Sequence, residues 1–311
     1  MSAIGFDTSN YTASVSWTDG KQEKSVRQLL FVKEGERGIR QSDGVFQHMK
    51  IVPKLFEEIT GDIDMTSVNA VGVSVRPRNV EGSYMPVFLA GEGYAKVVSD
   101  TLGVPLYKFS HQDGHIMAGI YSCKSFELLE DDFISVHLSG GTTEILKSRY
   151  TGNNFTNEII GGTKDISVGQ FIDRVGVKMG MRFPAGKEIE KLAMTADAEQ
   201  RLPVSVDGAY MNFSGVETKA SRIAEECDKA SLALGVLVNV GKTLTAAINC
   251  AVKNTNIHRV LIVGGVASNG IIRKMFDEKI DGKVYFAKPE YSCDNAVGIA
   301  YMTRIVHSKH I

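Results

Sequence analysis

The chain has 311 residues, 43% of them hydrophobic and 23% charged, enough for two lobes, each with a sizeable core. Its 35 basic and 36 acidic residues leave a net charge of −1, which argues neither for nor against a nucleic-acid partner and makes any such contact a local patch. Cys123, Cys227, Cys250 and Cys293 are far apart and form no CxxC pair, against a zinc ribbon or a disulfide framework and in favour of reduced cytoplasmic thiols. No apolar run approaches the roughly 18 residues of a membrane helix, and "MSAIGFDTSNY" lacks the apolar core of a signal peptide, so a soluble cytoplasmic protein without membrane contact is expected.

In chain order, "AIGFDTSNYTASVSWTDG" (3–20) predicts a β-hairpin, because apolar and β-branched residues alternate around the polar turn "DTSN". "AVGVSVRPRN" (70–79) reads as a buried strand breaking into a loop, followed by the helix "VFLAGEGYAKVVSDTL" and the short strand "VPLYKF". A second hairpin, "ISVHLSGGTTEILKSRY" (134–150), turns at "SGGT". Helical periods follow in "SVGQFIDRVGVKMGM", "KEIEKLAMTA" and "KASLALGVLVNVGKTLTAAINCAVKNT". "RVLIVGGVASN" (259–269) then repeats the strand-and-loop pattern, with the helix "NGIIRKMFDEKI" and the strand "KVYFAK" behind it. The two halves echo each other, which predicts an α/β fold with a duplicated core. The first lobe covers 1–128. The second covers 129–311, with a helical insertion around 150–255 and a helix from 294 packing back on the first lobe.

"SHQDGHIMAGIY" (110–121) carries His111 and His115, two of only seven histidines. On a helix, residues i and i+4 project from one face, so both imidazoles can reach one ion. Gln112 stands where a zinc peptidase of the HExxH type needs glutamate as general base, which disfavours a metalloprotease. Aligning "GHIMAGIY" with "CDNAVGIA" (293–300) puts Gly119 on Gly298, Ile120 on Ile299 and His115 on Asp294 at one constant offset. Asp294 is therefore a candidate third ligand. Two histidines and a carboxylate suit Fe(II) or Zn(II) acting as a Lewis acid. On spacing alone, a chance HxxxH at the surface or in the first turn of a helix is the commoner case.

The turns "SGGT" (139–142) and "VGGVASN" (263–269), with Gly264 and Gly265, each follow an apolar strand, where bare backbone can approach a phosphate or an adenosine face. Neither matches the Rossmann or P-loop pattern. Together with "DTSN" they form the trio by which actin-like and sugar-kinase-like folds hold ATP in a cleft between two lobes. "RFPAGKEIEKLA" (182–193) places Pro184 and Gly186 before a helix starting near Glu188. Arg76 and Arg78 end a buried strand, where two guanidinium groups can clamp an anion, although solvated loop arginines are the commoner case.

These stretches together resemble the universal tRNA threonylcarbamoyladenosine synthase family (TsaD, the glycoprotease or O-sialoglycoprotein endopeptidase-like family). The resemblance runs along nearly the whole chain through "IGFDTSNYTASV", "SHQDGHIMAG", "LSGGTTEIL", "GQFIDRVGVKMGMRFPAGKEIEKLA", "NFSGVETKA", "LIVGGVASNGIIRK" and "PEYSCDNAVGIAYM". It implies the actin-like ATPase fold and a metal held by His111, His115 and Asp294. It also implies contacts to ATP, AMP or an acyl-adenylate from His137, Leu138, Ser139, Gly140, Gly141, Asp173, Gly186, Glu190 and Asn269.

By the same resemblance, the activity is transfer of threonylcarbamoyl from threonylcarbamoyl-AMP to the tRNA adenosine next to the anticodon, with no nucleophilic side chain. A homologous partner protein or a homodimer is a further expectation. The chain departs from the family pattern in four places. Asn10 and Tyr11 replace an acidic pair, "RPRN" replaces a Gly-Pro-Gly loop, "SGGTT" replaces "SGGHT", and Gln170 replaces an acidic residue. These departures point to a divergent paralogue. They leave two alternatives, a carbamoyl-type transferase on a small-molecule acceptor and a nucleotide-binding regulatory protein without turnover.

Overall fold

The computed structural model describes residues 1–32, 39–292 and 296–309. They fall into two compact units: Met1–Phe126 with Tyr150–Thr156 and Cys293–Ile311, and Glu127–Arg149 with Asn157–Ser292. The first unit contains β1 (Ser2–Thr8), β2 (Thr12–Thr18), β3 (Glu23–Leu29), α1 (Gln41–Thr60), β4 (Val68–Arg76), α2 (Phe88–Leu102), β5 (Leu106–Ser110) and α3 (His111–Cys123). The second contains β6 (Phe133–Leu138), β7 (Thr143–Tyr150), β8 (Phe155–Thr163), α4 (Val168–Lys178), α5 (Gly186–Ala193), β9 (Val206–Asp207), β10 (Tyr210–Met211), α6 (Ser214–Ile223), α7 (Lys229–Thr255), β11 (Arg259–Val263), α8 (Gly270–Lys279) and β12 (Lys283–Phe286). A last helix, α9 (Val297–Ser308), returns to the first unit.

The first sheet has the order β3-β2-β1-β4-β5, with β1 and β2 as the antiparallel hairpin and β1, β4 and β5 parallel. Every residue of β1 is buried, because the sheet is covered on both faces. Ile4 and Phe6 join Val52, Leu55 and Ile59 of α1 in one core, where each fully buried side chain contributes about 1.5–3 kcal/mol. Gly5, between them, faces the other way, and a Cβ there would lie 2.5 Å from the Ala300 amide nitrogen of α9. β3 is an edge strand that the sequence did not announce. "EKSVRQL" is mostly exposed, and Val26 packs partly against the core.

The second sheet has the order β12-β11-β6-β7-β8-β10-β9. The hairpin β6–β7 is antiparallel, whereas β11 runs parallel to both β6 and β12. The 27-residue α7 is long and apolar enough to cross a membrane by length and composition, yet residues such as Leu232, Val236, Val240, Leu244 and Ile248 are fully buried in this unit's core. β8 lies inside the stretch expected to be helical. Its alternation is weak because Asn157 and Glu158 interrupt it and Gly161 and Gly162, the latter at φ +149°, precede its last residue, Thr163. Cys123, Cys227 and Cys250 are free thiols.

Candidate metal and nucleotide sites

β5 delivers the chain directly into α3, so the histidine pair sits at a strand end on the first helical turns. Ser110 caps α3 with its hydroxyl, and Asp113 returns the bond to the Ser110 amide, forming a capping box. The four-residue spacing then brings the imidazoles together, with His111 Nε2 and His115 Nε2 2.9 Å apart. Asp7, 1% exposed at the end of β1, faces His111 Nδ1 at 2.9 Å. Its Oδ1 also accepts from the Ser74 hydroxyl. A carboxylate at Nδ1 holds the proton there and leaves the Nε2 lone pair of His111 directed at its neighbour.

Two imidazoles sharing one ion at about 2.0–2.1 Å stand roughly 3 Å apart at a right-angled coordination, so the pair fits a metal. The Oδ2 of Asp7 is buried and has no hydrogen-bond partner among the described residues. The third expected ligand, Asp294, lies outside the described residues, and within these no group of three His, Cys, Asp or Glu side chains could hold a metal ion.

Asp7 and Asp113 were not singled out from the sequence. Asp7 could have been, as a carboxylate closing an apolar strand at "DTSN". Asp113 is fully buried and is met by the Ser110 amide at 2.9 Å, the Phe155 amide at 3.0 Å and the Asn79 amide nitrogen at 2.6 Å. Burial pushes its carboxyl above the usual range, and hydrogen bonds from Ser110, Asn79 and Phe155 oppose the shift. Arg76 bonds Asn79 Oδ1 through Nε at 3.3 Å and Nη2 at 3.2 Å. The Arg78 backbone amide reaches the Ser83 hydroxyl.

In the second unit, Ser139 closes the glycine turn, its hydroxyl accepting from the amides of Gly141 and Thr142. A Cβ at Gly140, Gly141 or Gly265 would meet nothing within 4 Å. Gly264 differs. It sits at φ +103°, and a Cβ there would overlap the Leu138 carbonyl. That contact brings the two strand-end turns side by side, as does pairing of His137 with Val263. The α4 N-terminus backs the first turn, with the Ser167 hydroxyl donating to Gly140 O at 2.7 Å.

Asn269 caps α8 by accepting from the Ile272 amide, and Glu190 accepts from the neighbouring Gly270 amide at 2.6 Å. Asp173 accepts from the Ala185 amide at 2.8 Å. It thereby anchors the start of α5, the helix on which Glu190 sits, and Gly186 opens that helix. Burial raises the Asp173 carboxyl, and the Ala185 and Gly186 amides oppose the rise. Gly265 thus follows the residue packed on the Leu138 carbonyl, Glu190 meets the α8 start next to Asn269, and Asp173 is engaged at the α5 start. The open backbone at Gly140, Gly141 and Gly265 is the kind of surface that can approach a phosphorylated nucleoside.

The family model described as tRNA N6-adenosine threonylcarbamoyltransferase matches residues 34–301. A protein of that name from Neorickettsia sennetsu is 26% identical over 312 residues, covering 96% of this chain and 91% of its own length. One from Christiangramia forsetii is 31% identical over 268 residues, covering 80% and 76%. Among solved structures, the activator of 2-hydroxyisocaproyl-CoA dehydratase from Clostridium difficile with bound ADPNP aligns at a TM-score of 0.56 and 16% identity, covering 100% of this chain and 97% of that one. At that identity the likeness shows the fold alone, which is the actin-like ATPase fold.

Proposed function

Because the chain belongs to the tRNA N6-adenosine threonylcarbamoyltransferase family, we propose that it moves a threonylcarbamoyl group from threonylcarbamoyl-AMP to the N6 of a tRNA adenosine beside the anticodon, in the cytoplasm. The acceptor nitrogen forms its bond to the carbamoyl carbon as the carbon–oxygen bond to phosphate breaks, AMP leaves with the electron pair, and the N6 amine gives up one proton to solvent. The side chains need not supply a nucleophile. They bind and orient.

His111 and His115, joined by Asp294, would hold Fe(II) or Zn(II), which when bound supplies Lewis acidity toward an oxygen of the acyl group. Asp7 fixes the His111 tautomer at Nδ1, and the Ser74 hydroxyl steadies Asp7. The glycine turns and Asn269 would hold the AMP portion, with Asp173 and Glu190 keeping α5 and α8 in place.

The observation that carries the reading is the histidine pair, 2.9 Å apart and braced by a buried carboxylate, inside a segment matched by the family model. The test supplies threonylcarbamoyl-AMP, tRNA and the family's usual partner proteins, and looks for modified adenosine by mass spectrometry. Modification that disappears in Asp294→Ala supports the reading. Donor consumed without modified tRNA would refute the acceptor, and donor bound but never consumed would refute the transferase.

A further inference from the structure

The last residue of β4, Arg76, carries a guanidinium that the residues assigned above do not use. Pairing of β4 with β5 slips between Ser74 and Arg76, so that Val75 is an extra residue, and Arg76 then stands opposite Ser110. A bulge of this kind re-aims the side chain that follows it. Ser110 is the cap of α3, and His111 is the next residue. The Pro77 carbonyl accepts from the Gln112 amide at 3.0 Å, tying the loop to the same helical turn.

Arg76 is held by one edge only. Its Nε and Nη2 both address Asn79 Oδ1, and Asn79 is fixed in turn by the fully buried Asp113 and the Phe155 carbonyl. Of the five N–H donors of a guanidinium, that leaves three, two on Nη1 and one on Nη2. They form the terminal fork that matches the two oxygens of a carboxylate or a phosphate. No ion pair of Arg76 with a carboxylate occurs among the described residues.

We propose that Arg76 is an oxyanion-recognition residue, its terminal fork receiving a carboxylate or phosphate of a substrate bound beside the His111–His115 pair. Asn79 and Asp113 are its positioning residues. The inference rests on the transferase reading and adds to it a determinant of which substrate group docks at the first unit. Two sources can present such an oxyanion, the carboxylate of the threonyl part and a backbone phosphate of the RNA.

Purified, metal-reconstituted wild type, Arg76→Gln and Arg76→Lys are titrated with N-carbamoyl-L-threonine by calorimetry. The same proteins are titrated with an anticodon stem-loop RNA at several salt concentrations. If the carboxylate is the ligand, Arg76→Gln weakens N-carbamoyl-L-threonine about 10- to 100-fold and leaves RNA binding alone. Arg76→Lys restores only part of the loss, because a point charge lacks the fork.

If the phosphate is the ligand, RNA binding weakens and the slope of log K against log salt falls by about 1, with the small ligand unaffected. Affinities for both ligands within twofold of wild type in Arg76→Gln would overturn the proposal, while leaving the transferase reading standing. Wild type that binds neither ligand would overturn both. A lowered melting temperature with unchanged affinities would show Arg76 to be a structural tether for Asn79, and also overturns the proposal.

Discussion

Replacing Asp7 by Asn tests whether the histidine pair is a metal site. The amide keeps the shape of the side chain and can keep an oxygen at Oδ1, where His111 Nδ1 at 2.9 Å and the Ser74 hydroxyl both donate. What it removes is the negative charge that makes the imidazole a better donor at Nε2. Loss of a partner of this kind lowers metal affinity about 10- to 100-fold, or about 1.4–2.7 kcal/mol at 1.36 kcal/mol per decade. Because the second oxygen, Oδ2, has no partner to lose, the fold should survive.

Affinity is measured on metal-free protein by competition against a chromophoric chelator, with Co(II) as a spectroscopic stand-in. Ser74→Ala, which keeps the carboxylate, should cost less than Asp7→Asn. Equal affinity of wild type and a well-folded Asp7→Asn would refute the argument, because a bracing carboxylate with no influence on its histidine is no part of a metal site.

Gly265→Val should leave folding intact, since a Cβ there meets nothing within 4 Å, and should abolish adenine-nucleotide binding by calorimetry. Unchanged ATP affinity would refute the glycine-turn assignment. Gly264→Ala should instead destabilise the protein by about 1–3 kcal/mol of backbone strain plus the clash with Leu138, read as a lower denaturant midpoint, whereas Gly265→Ala should be near neutral. Asp165 feels burial pushing it up, but bonds from Ser214, the Phe213 amide and Thr163 outweigh it and hold the carboxyl at about 2. Its folded value is depressed, so its contribution to stability is present above about pH 4 and fades as pH falls toward 2. Asp165→Asn should flatten the stability profile in that window, measured by denaturation at each pH.

What could be read from the sequence was whatever depends on neighbours along the chain. The hairpins β1–β2 and β6–β7 show because two-residue alternation brackets a polar or glycine turn. The histidine pair shows because four residues make one helical turn. β3 hides because an edge strand needs few apolar residues, and β8 hides because its buried Phe155 is followed by Asn157 and Glu158.

The bracing of the site was beyond a local reading. Asp7 meets His111 across 104 residues, Asn79 meets Asp113 across 34, and Glu190 meets Gly270 across 80, none of which leaves a periodic trace. Asn269, which the family resemblance implies as a nucleotide contact, also caps α8 through its side chain. The charge balance of −1 likewise gave no hint of a guanidinium fixed beside a helix start.

The packing of α9 against β1 has a consequence for how the protein is made. Gly5 lies against Ala296 and Ala300, Gly72 against Thr303, and Gly298 against Gly114, contacts so close that a Cβ at Gly5, Gly72 or Gly298 would overlap its neighbour. The first sheet therefore waits for a helix translated after the whole second unit. Between residues 126 and 296 the ribosome adds 170 residues, which at roughly 5–20 residues per second takes on the order of 10–30 seconds. Throughout that interval the nascent first unit exposes the glycine-lined face of its sheet. Residues 1–126 expressed alone should for the same reason need a chaperone or added α9 peptide to stay in solution.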